Sequence, residues 1–241
     1  MAIGLRITVR HYYDFRVERA IVGSDLGTPE AWDRLRARTT GRFSLPEARE
    51  GFVRLPESHE EIADRARAID DWLANAGIDS IASYGVGTGV LEWWLTRLRA
   101  GRRITCTDYA AGTVRRLNDL APELHACGHD LRRDNPLTAD LHLFHRIDTE
   151  LSNREWHDVL ERFRSESIFI AAEVLDLRRL TVELLARPLI RASRAGFLRT
   201  RAALEALWLT THQGLPLRMH DLPAWSLTPL GAVAERRSAG V

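Results

Sequence analysis

Ile81-Ala82-Ser83-Tyr84-Gly85-Val86-Gly87-Thr88-Gly89 is answered by Arg103-Ile104-Thr105-Cys106-Thr107-Asp108, a second short β-type run that ends in a carboxylate. The first segment leads apolar residues into three alternate glycines, and an amphipathic helical stretch, residues 90–100, begins at once. Glycine lets the backbone turn tightly and approach a ligand that any Cβ would push away. Asp108 stands nineteen positions beyond the last glycine, where an acid at a strand end can accept hydrogen bonds from a ribose diol. Strand, glycine turn, helix, strand and acid together read as a nucleoside-cofactor site at the carboxyl edge of a parallel sheet, and they set the class as α/β.

A dinucleotide fingerprint requires G-x-G-x-x-G/A, whose last small residue lets helix and strand pack closely. Counted from Gly85 that place holds Val90, and counted from Gly87 it holds Glu92. The pattern here, x-x-G-x-G-x-G, resembles motif I of the class I S-adenosylmethionine (SAM) methyltransferases, in which the glycine loop accommodates the methionine part of SAM. The resemblance implies a Rossmann-like three-layer sandwich with a mostly parallel seven-stranded sheet and a C-terminal antiparallel hairpin. Gly85, Gly87 and Gly89 would then cradle the cofactor, Asp108 would hold its ribose and Tyr109 would flank its adenine. A third strand within residues 123–130 would bring Asp130, followed by Leu131, beside the adenine amino group. Residues 139–145 and 168–175 fall in the places of the fourth and fifth strands. The likeness spans residues 79–175, and more loosely 215–229. Ser83 departs from it, because the family usually carries Asp or Glu two residues before the first glycine, where it helps hold the SAM ammonium. A hydroxyl there accepts a hydrogen bond but brings no charge, which leaves a fold without catalysis open as an alternative.

The 241 residues, 45% of them hydrophobic, are enough for one full core with a cap. Residues 1–77 read as an N-terminal helical extension and 78–241 as the cofactor-binding domain, with 176–212 a helical insertion walling the acceptor pocket. The net charge is +1, and all 34 basic side chains other than histidine are arginine, so bulk electrostatics make no case for nucleic acid or a membrane surface. Cys106 and Cys127 give no disulfide framework and fit a reducing compartment. The first ten residues carry Arg6 and Arg10 and no apolar signal core. No run reaches the ~20 apolar residues that span a bilayer. A soluble cytoplasmic protein is expected, with pairing as a homodimer left open.

Within the extension, Thr28-Pro29-Glu30 predicts a helix start. Ser58-His59-Glu60-Glu61 predicts a capping box, opening a helix whose inner face is Ile62, Ala66, Ile69 and Leu73 and which Gly77 ends. Ser152-Asn153-Arg154-Glu155 predicts another box. Residues 176–212 read as two helices with breaks at Pro188 and Gly196, and residues 215–220 and 224–228 as the closing hairpin.

Methyl transfer from a sulfonium is an in-line displacement, so the protein supplies alignment, desolvation and, where the acceptor must lose a proton, a base. Such a group should project from the carboxyl end of the fourth strand, where His145, Arg146, Asp148 and Glu150 stand. His145 is the choice as base or positioning group, its unperturbed pKa being about 6.5, and Arg146 is a candidate for the substrate. His11-Tyr12-Tyr13-Asp14 resembles the tyrosine-bearing N-terminal segment that folds over SAM in many small-molecule methyltransferases, which makes Tyr12 and Tyr13 substrate-side candidates. His125, Cys127 and His129 alternate along one predicted strand, with His142 and His145 on the next, but no C-x-x-C or H-x-x-x-H pairing accompanies them, and no metal is expected. Arg187, Arg191 and Arg194 read as a solvated helix face. There is no Asp/Asn-Pro-Pro-Tyr/Phe after the fourth strand and no Pro-Cys dipeptide. Elimination leaves a small molecule, sugar, peptide or natural-product scaffold as the methyl acceptor. An NAD(P)-dependent oxidoreductase is the rival that Val90 and the missing Tyr-x-x-x-Lys argue against. A non-catalytic SAM-fold scaffold or partner subunit is the rival that Ser83 sustains.

Overall fold

The computed structural model describes residues 4–10, 28–38, 43–186, 196–212, 218–219, 222 and 227–232. The chain runs from strand β1 (Thr8–Arg10) through helices α1 (Pro29–Arg36), α2 (Arg49–Arg54) and α3 (Glu60–Asn75) into an alternating stretch. That stretch is β2 (Ser80–Tyr84), α4 (Val90–Leu98), β3 (Arg103–Asp108), α5 (Ala111–Leu120), β4 (Cys127–Gly128), β5 (Leu141–His145), α6 (Asn153–Arg162) and β6 (Ile168–Glu173). Helix α7 (Leu177–Ala186), β7 (Phe197–Arg199), α8 (Arg201–Thr211), β8 (Arg218–Met219) and β9 (Leu227–Ala232) follow.

Strands β4, β3, β2, β5 and β6 lie in that order and are all parallel, while β9 runs antiparallel on β6 and β8 antiparallel on β9. The order reverses at β2, whose two neighbours are β3 and β5. In such sheets ligands sit in the crevice outside the carboxyl ends of the strands at that switch point. Strands covered on both faces read as near-continuous apolar runs, and all six residues of β6 are buried. The side chains still alternate. Leu141, Leu143, Phe169 and Ala171 pack with Ile69, Leu73, Leu91 and Leu95 of α3 and α4. Phe144, Ile168, Ile170 and Ala172 pack with Trp156, Val159 and Leu160 of α6 and with Leu204 and Trp208 of α8. The result is three layers.

The ends of these helices follow local chemistry in most places. Thr28 caps α1, accepting from the Ala31 N–H at 3.3 Å, with Pro29 at the first turn. Ser152 and Glu155 form the reciprocal box at α6, where the Glu155 side chain accepts from the Ser152 N–H at 2.8 Å. Ser152→Ala is expected to cost about 1 kcal/mol, read as a lower urea midpoint; an unmoved midpoint would show that the hydroxyl caps nothing. The helix expected to open at Ser58 starts one residue later. Leu55–Ser58 wind into a 3-10 turn around Pro56, and His59 is the N-cap of α3 without a side-chain bond to the helix.

Two further expectations are corrected. The third strand is only Cys127–Gly128, because Pro122–Leu124 form a 3-10 turn and His125 takes a left-handed conformation at φ 46°. His125, Cys127 and His129 therefore do not share a strand face. Phe197–Arg199, expected to be helical, form a strand paired antiparallel with Thr8–Arg10, and Thr200 then caps α8 by accepting from Ala203. No helix among the described residues is long and apolar enough to cross a membrane.

Candidate functional site

The carboxyl ends of β2, β3 and β5 open into a cleft that takes in about 870 Å³ of space, open solvent included. Its floor is Gly85, Val86, Gly87 and Thr88, and one side is Asp108 and Tyr109. The other side, after β5, carries His145, Arg146, Ile147, Thr149 and Glu150. The cover comes from the N-terminal extension, as Trp32, Arg36, Phe43, His59, Ile62 and Arg65. No described residue of 176–212 lines this cleft.

Asp108 is 3% exposed. Its Oδ2 accepts from the Gly87 N–H at 3.1 Å and its Oδ1 from the Ala110 N–H at 2.9 Å. The carboxylate thus ties the glycine loop to the end of β3. An ionised carboxylate offers about four acceptor positions, so two remain for a diol. Gly87 has φ 63°, and a Cβ there would fall 2.9 Å from Arg36 Nη2. Gly85 also lines the cleft, and a Cβ there would lie 2.6 Å from Ile147 Cδ1. At both positions the space a Cβ would take is already held, so the bare loop lets Ile147 and Arg36 close on it. The spare acceptor positions of Asp108 beside that loop fit the ribose of the adenosyl-sulfur cofactor that the sequence implies. Gly89 does something else. It is the N-cap of α4 at φ 71°, and a Cβ there would meet Leu124 at 2.8 Å, so this glycine lets the helix end pack on the core.

Tyr109 lines the cleft with the Arg132 guanidinium 5.5 Å from its ring centre, and burial pushes its phenol above its ordinary range. Asp130 and Leu131 stand elsewhere. The Asp130 carboxylate accepts from the Arg132 N–H at 3.0 Å and lies 3.6 Å from Arg133, within its own turn. Leu131 is buried on the α6 side of the sheet. Neither lines the cleft. Tyr12 and Tyr13 lie outside the described residues, as do Arg187, Arg191 and Arg194.

Ser83 is fully buried beneath the glycine loop, and its hydroxyl donates to Glu92 Oε1 at 2.6 Å. Glu92 of α4 thus brings a buried carboxyl against Ser83, and it is not among the residues that line the cleft. Burial pushes its carboxyl up to about 7, against the Ser83 hydrogen bond, and the charge of Asp108 adds to the rise. It lies in the first turn of α4, where the helix dipole favours negative charge. Leu95, three positions on and also buried, puts Glu92 on the inward side of α4.

His145 ends β5 and faces Arg65 of α3. The Arg65 guanidinium donates to His145 Nε2. Arginine has no acceptor, so Nε2 must be the bare nitrogen and Nδ1 carries the proton. Burial, then the charges of Arg65 and Arg146, push the imidazole pKa well below its ordinary value. His145 is neutral, with one nitrogen occupied. Arg146 has φ 59°, a left-handed backbone rare for a residue with a side chain, and its Nη2 pairs with Glu173 Oε2 at 2.8 Å. Arg65 itself is completely buried. It falls three positions after Ile62 and four before Ile69, on the inward stripe of α3, which is the signal that could have found it.

No protein-family model and no curated protein matches the chain. Solved structures do. Human N-acetylserotonin methyltransferase in complex with SAM superposes with a TM-score of 0.58 at 17% identity, over 77% of this chain and 56% of its own. Magnesium protoporphyrin IX methyltransferase from Synechocystis with bound S-adenosylhomocysteine (SAH) gives 0.58 at 16%, over 72% and 83%. Mitomycin 7-O-methyltransferase gives 0.58 at 20%, over 77% and 57%. The chain spans little more than half the length of the first and third. What it shares with all three is the α/β, Rossmann-like fold of SAM-dependent methyltransferases.

Proposed function

We propose that the chain is a SAM-dependent methyltransferase acting on an oxygen or nitrogen atom of a small molecule, sugar, peptide or natural-product scaffold. The observation that carries this is Asp108, bonded to the Gly87 backbone at the switch point of a methyltransferase-like sheet with acceptor positions to spare. Gly85 and Gly87 would bed the methionine part, Asp108 the ribose diol, and Tyr109 would flank the adenine. When bound, SAM supplies the methyl group and its own thioether leaving group. The protein's task is then alignment and exclusion of water. Trp32, Phe43 and Ile62 cover the cleft with apolar surface.

His145 serves as a positioning group. With Nε2 occupied by Arg65 it offers the acceptor an Nδ1–H, and it takes no proton near neutrality. This favours an acceptor whose oxygen is already anionic, such as a carboxylate or an acidic phenol, with Arg65 and Arg146 both among the residues that line the cleft. The NAD(P) reading has nothing comparable in its favour, since Val90, where that motif needs a small residue, is buried.

Calorimetric titration with SAM, SAH and NAD tests the assignment. Micromolar binding of the two adenosyl-sulfur ligands and none of NAD is expected, and failure of SAM and SAH to bind would end it. With binding in hand, a screen using radiolabelled SAM should methylate carboxylic acids or phenols in preference to amines. In that assay His145→Gln is expected to lower kcat about 10-fold or more through lost positioning while the rising limb of the pH–rate profile stays in place. A limb near pH 6 to 7 that vanishes in the variant would instead make His145 a base.

A further inference from the structure

Arg36 closes α1, and its guanidinium rests on the glycine loop. Nη2 lies 2.9 Å from where a Cβ on Gly87 would be and 3.8 Å from Asp108 Oδ2. The side chain is 9% exposed and lines the cleft, with its carbon Cζ 5.1 Å from the Trp32 ring centre. Nε is buried with no hydrogen-bond partner among the described residues.

The group is held there by a docked helix. One turn earlier, Asp33 caps α5, accepting from the Gly112 and Thr113 N–H groups at 2.9 and 2.7 Å and from the Thr113 hydroxyl at 3.0 Å. Behind it, the Leu45 N–H donates to the Arg36 carbonyl at 2.9 Å. Arginine is always charged and carries five donors in a rigid fork suited to a carboxylate. At 3.8 Å Asp108 is beyond hydrogen-bond distance, and its carboxylate is already engaged by two backbone N–H groups. A buried cation whose Nε has no partner among the described residues and whose one acid lies beyond hydrogen-bond distance, beside the loop that would bed the methionine tail, suits a second anion.

We propose that Arg36 binds the carboxylate of the cofactor's amino-acid tail, so that the N-terminal extension completes the cofactor site as well as covering it. This rests on the SAM reading above. The test compares SAM with decarboxylated SAM, which lacks only that carboxylate, by calorimetry on the full chain and on Arg36→Met and Arg36→Lys. The wild type should prefer SAM by roughly 30-fold, the value of a charge-assisted bidentate pair. Arg36→Met should lose that preference by weakening SAM alone, and Arg36→Lys should keep part of it. The proposal is overturned if the wild type does not discriminate, if Arg36→Met weakens both ligands equally, or if it tightens both, which would make Arg36 an obstruction. The wild-type ratio needs no variant to fold. Failure of the wild type to bind either ligand would instead bring down the SAM reading itself.

Discussion

Asp108→Ala is expected to reduce SAH affinity at least 100-fold, about 3 kcal/mol. The carboxylate does three things that an alanine cannot. It offers the acceptor positions for the ribose, it accepts from the Gly87 and Ala110 N–H groups at 3.1 and 2.9 Å, and it is the negative charge 3.8 Å from Arg36. Without it two buried backbone donors lose their partners, at a cost of about 1–3 kcal/mol each, so the urea midpoint should fall together with affinity. Asp108→Asn separates the two effects. It keeps the shape and one carbonyl acceptor, but sets an NH2 group against a backbone N–H. Its midpoint should therefore lie between those of wild type and Asp108→Ala, while its affinity stays near that of Asp108→Ala. Binding by Asp108→Ala as tight as that of the wild type would remove Asp108 from the site.

The part of the site that could be read from the sequence is the part made by neighbouring strands and the turns that leave them. Gly87 and Asp108 meet because β2 and β3 pair in register, Tyr84 opposite Thr107, and each then delivers its next residues to the same sheet edge. Strand, turn and acid are local features, and their spacing carries the geometry. His145 reached the cleft by the same logic, from the end of β5. Arg36 and Arg65 come from helices of the extension that dock across the strand ends, and no local spacing records that docking. Arg65 also hid its role by lying on an apolar stripe, where helical periodicity draws the eye to Ile62, Ala66 and Ile69. Pairing of Phe197–Arg199 with Thr8–Arg10 joins segments far apart in sequence, and it overrides a helical pattern that is sound on its own terms. Asp130 has the residue type for an adenine contact, but its carboxylate accepts from the Arg132 N–H of its own turn, a competition open to any short acid near a turn.

Glu92→Gln should stabilise the protein at pH 8 and have little effect at pH 4. Burial raises the Glu92 carboxyl from its ordinary 4.5 to about 7, so between those values the folded state binds a proton that the unfolded state has released. Stability then falls as pH rises through the window and levels off above the folded pKa. From that shift the ionisable group costs about 3 kcal/mol at pH 8, about 1 kcal/mol at pH 5 and close to nothing at pH 4. Glutamine removes the charge yet keeps a carbonyl to accept the Ser83 hydroxyl, so the comparison isolates ionisation from hydrogen bonding. Asp148, fully buried and likewise pushed up to about 7 by burial, adds a pH dependence of the same sign that Glu92→Gln leaves in place. The wild-type curve should therefore flatten partly in Glu92→Gln and further in the double variant with Asp148→Asn. Urea midpoints at pH 4, 5 and 8 measure this. A gap between wild type and Glu92→Gln that does not change with pH would mean that the carboxyl keeps one protonation state throughout. In that case the substitution acts only through the packing beneath the glycine loop.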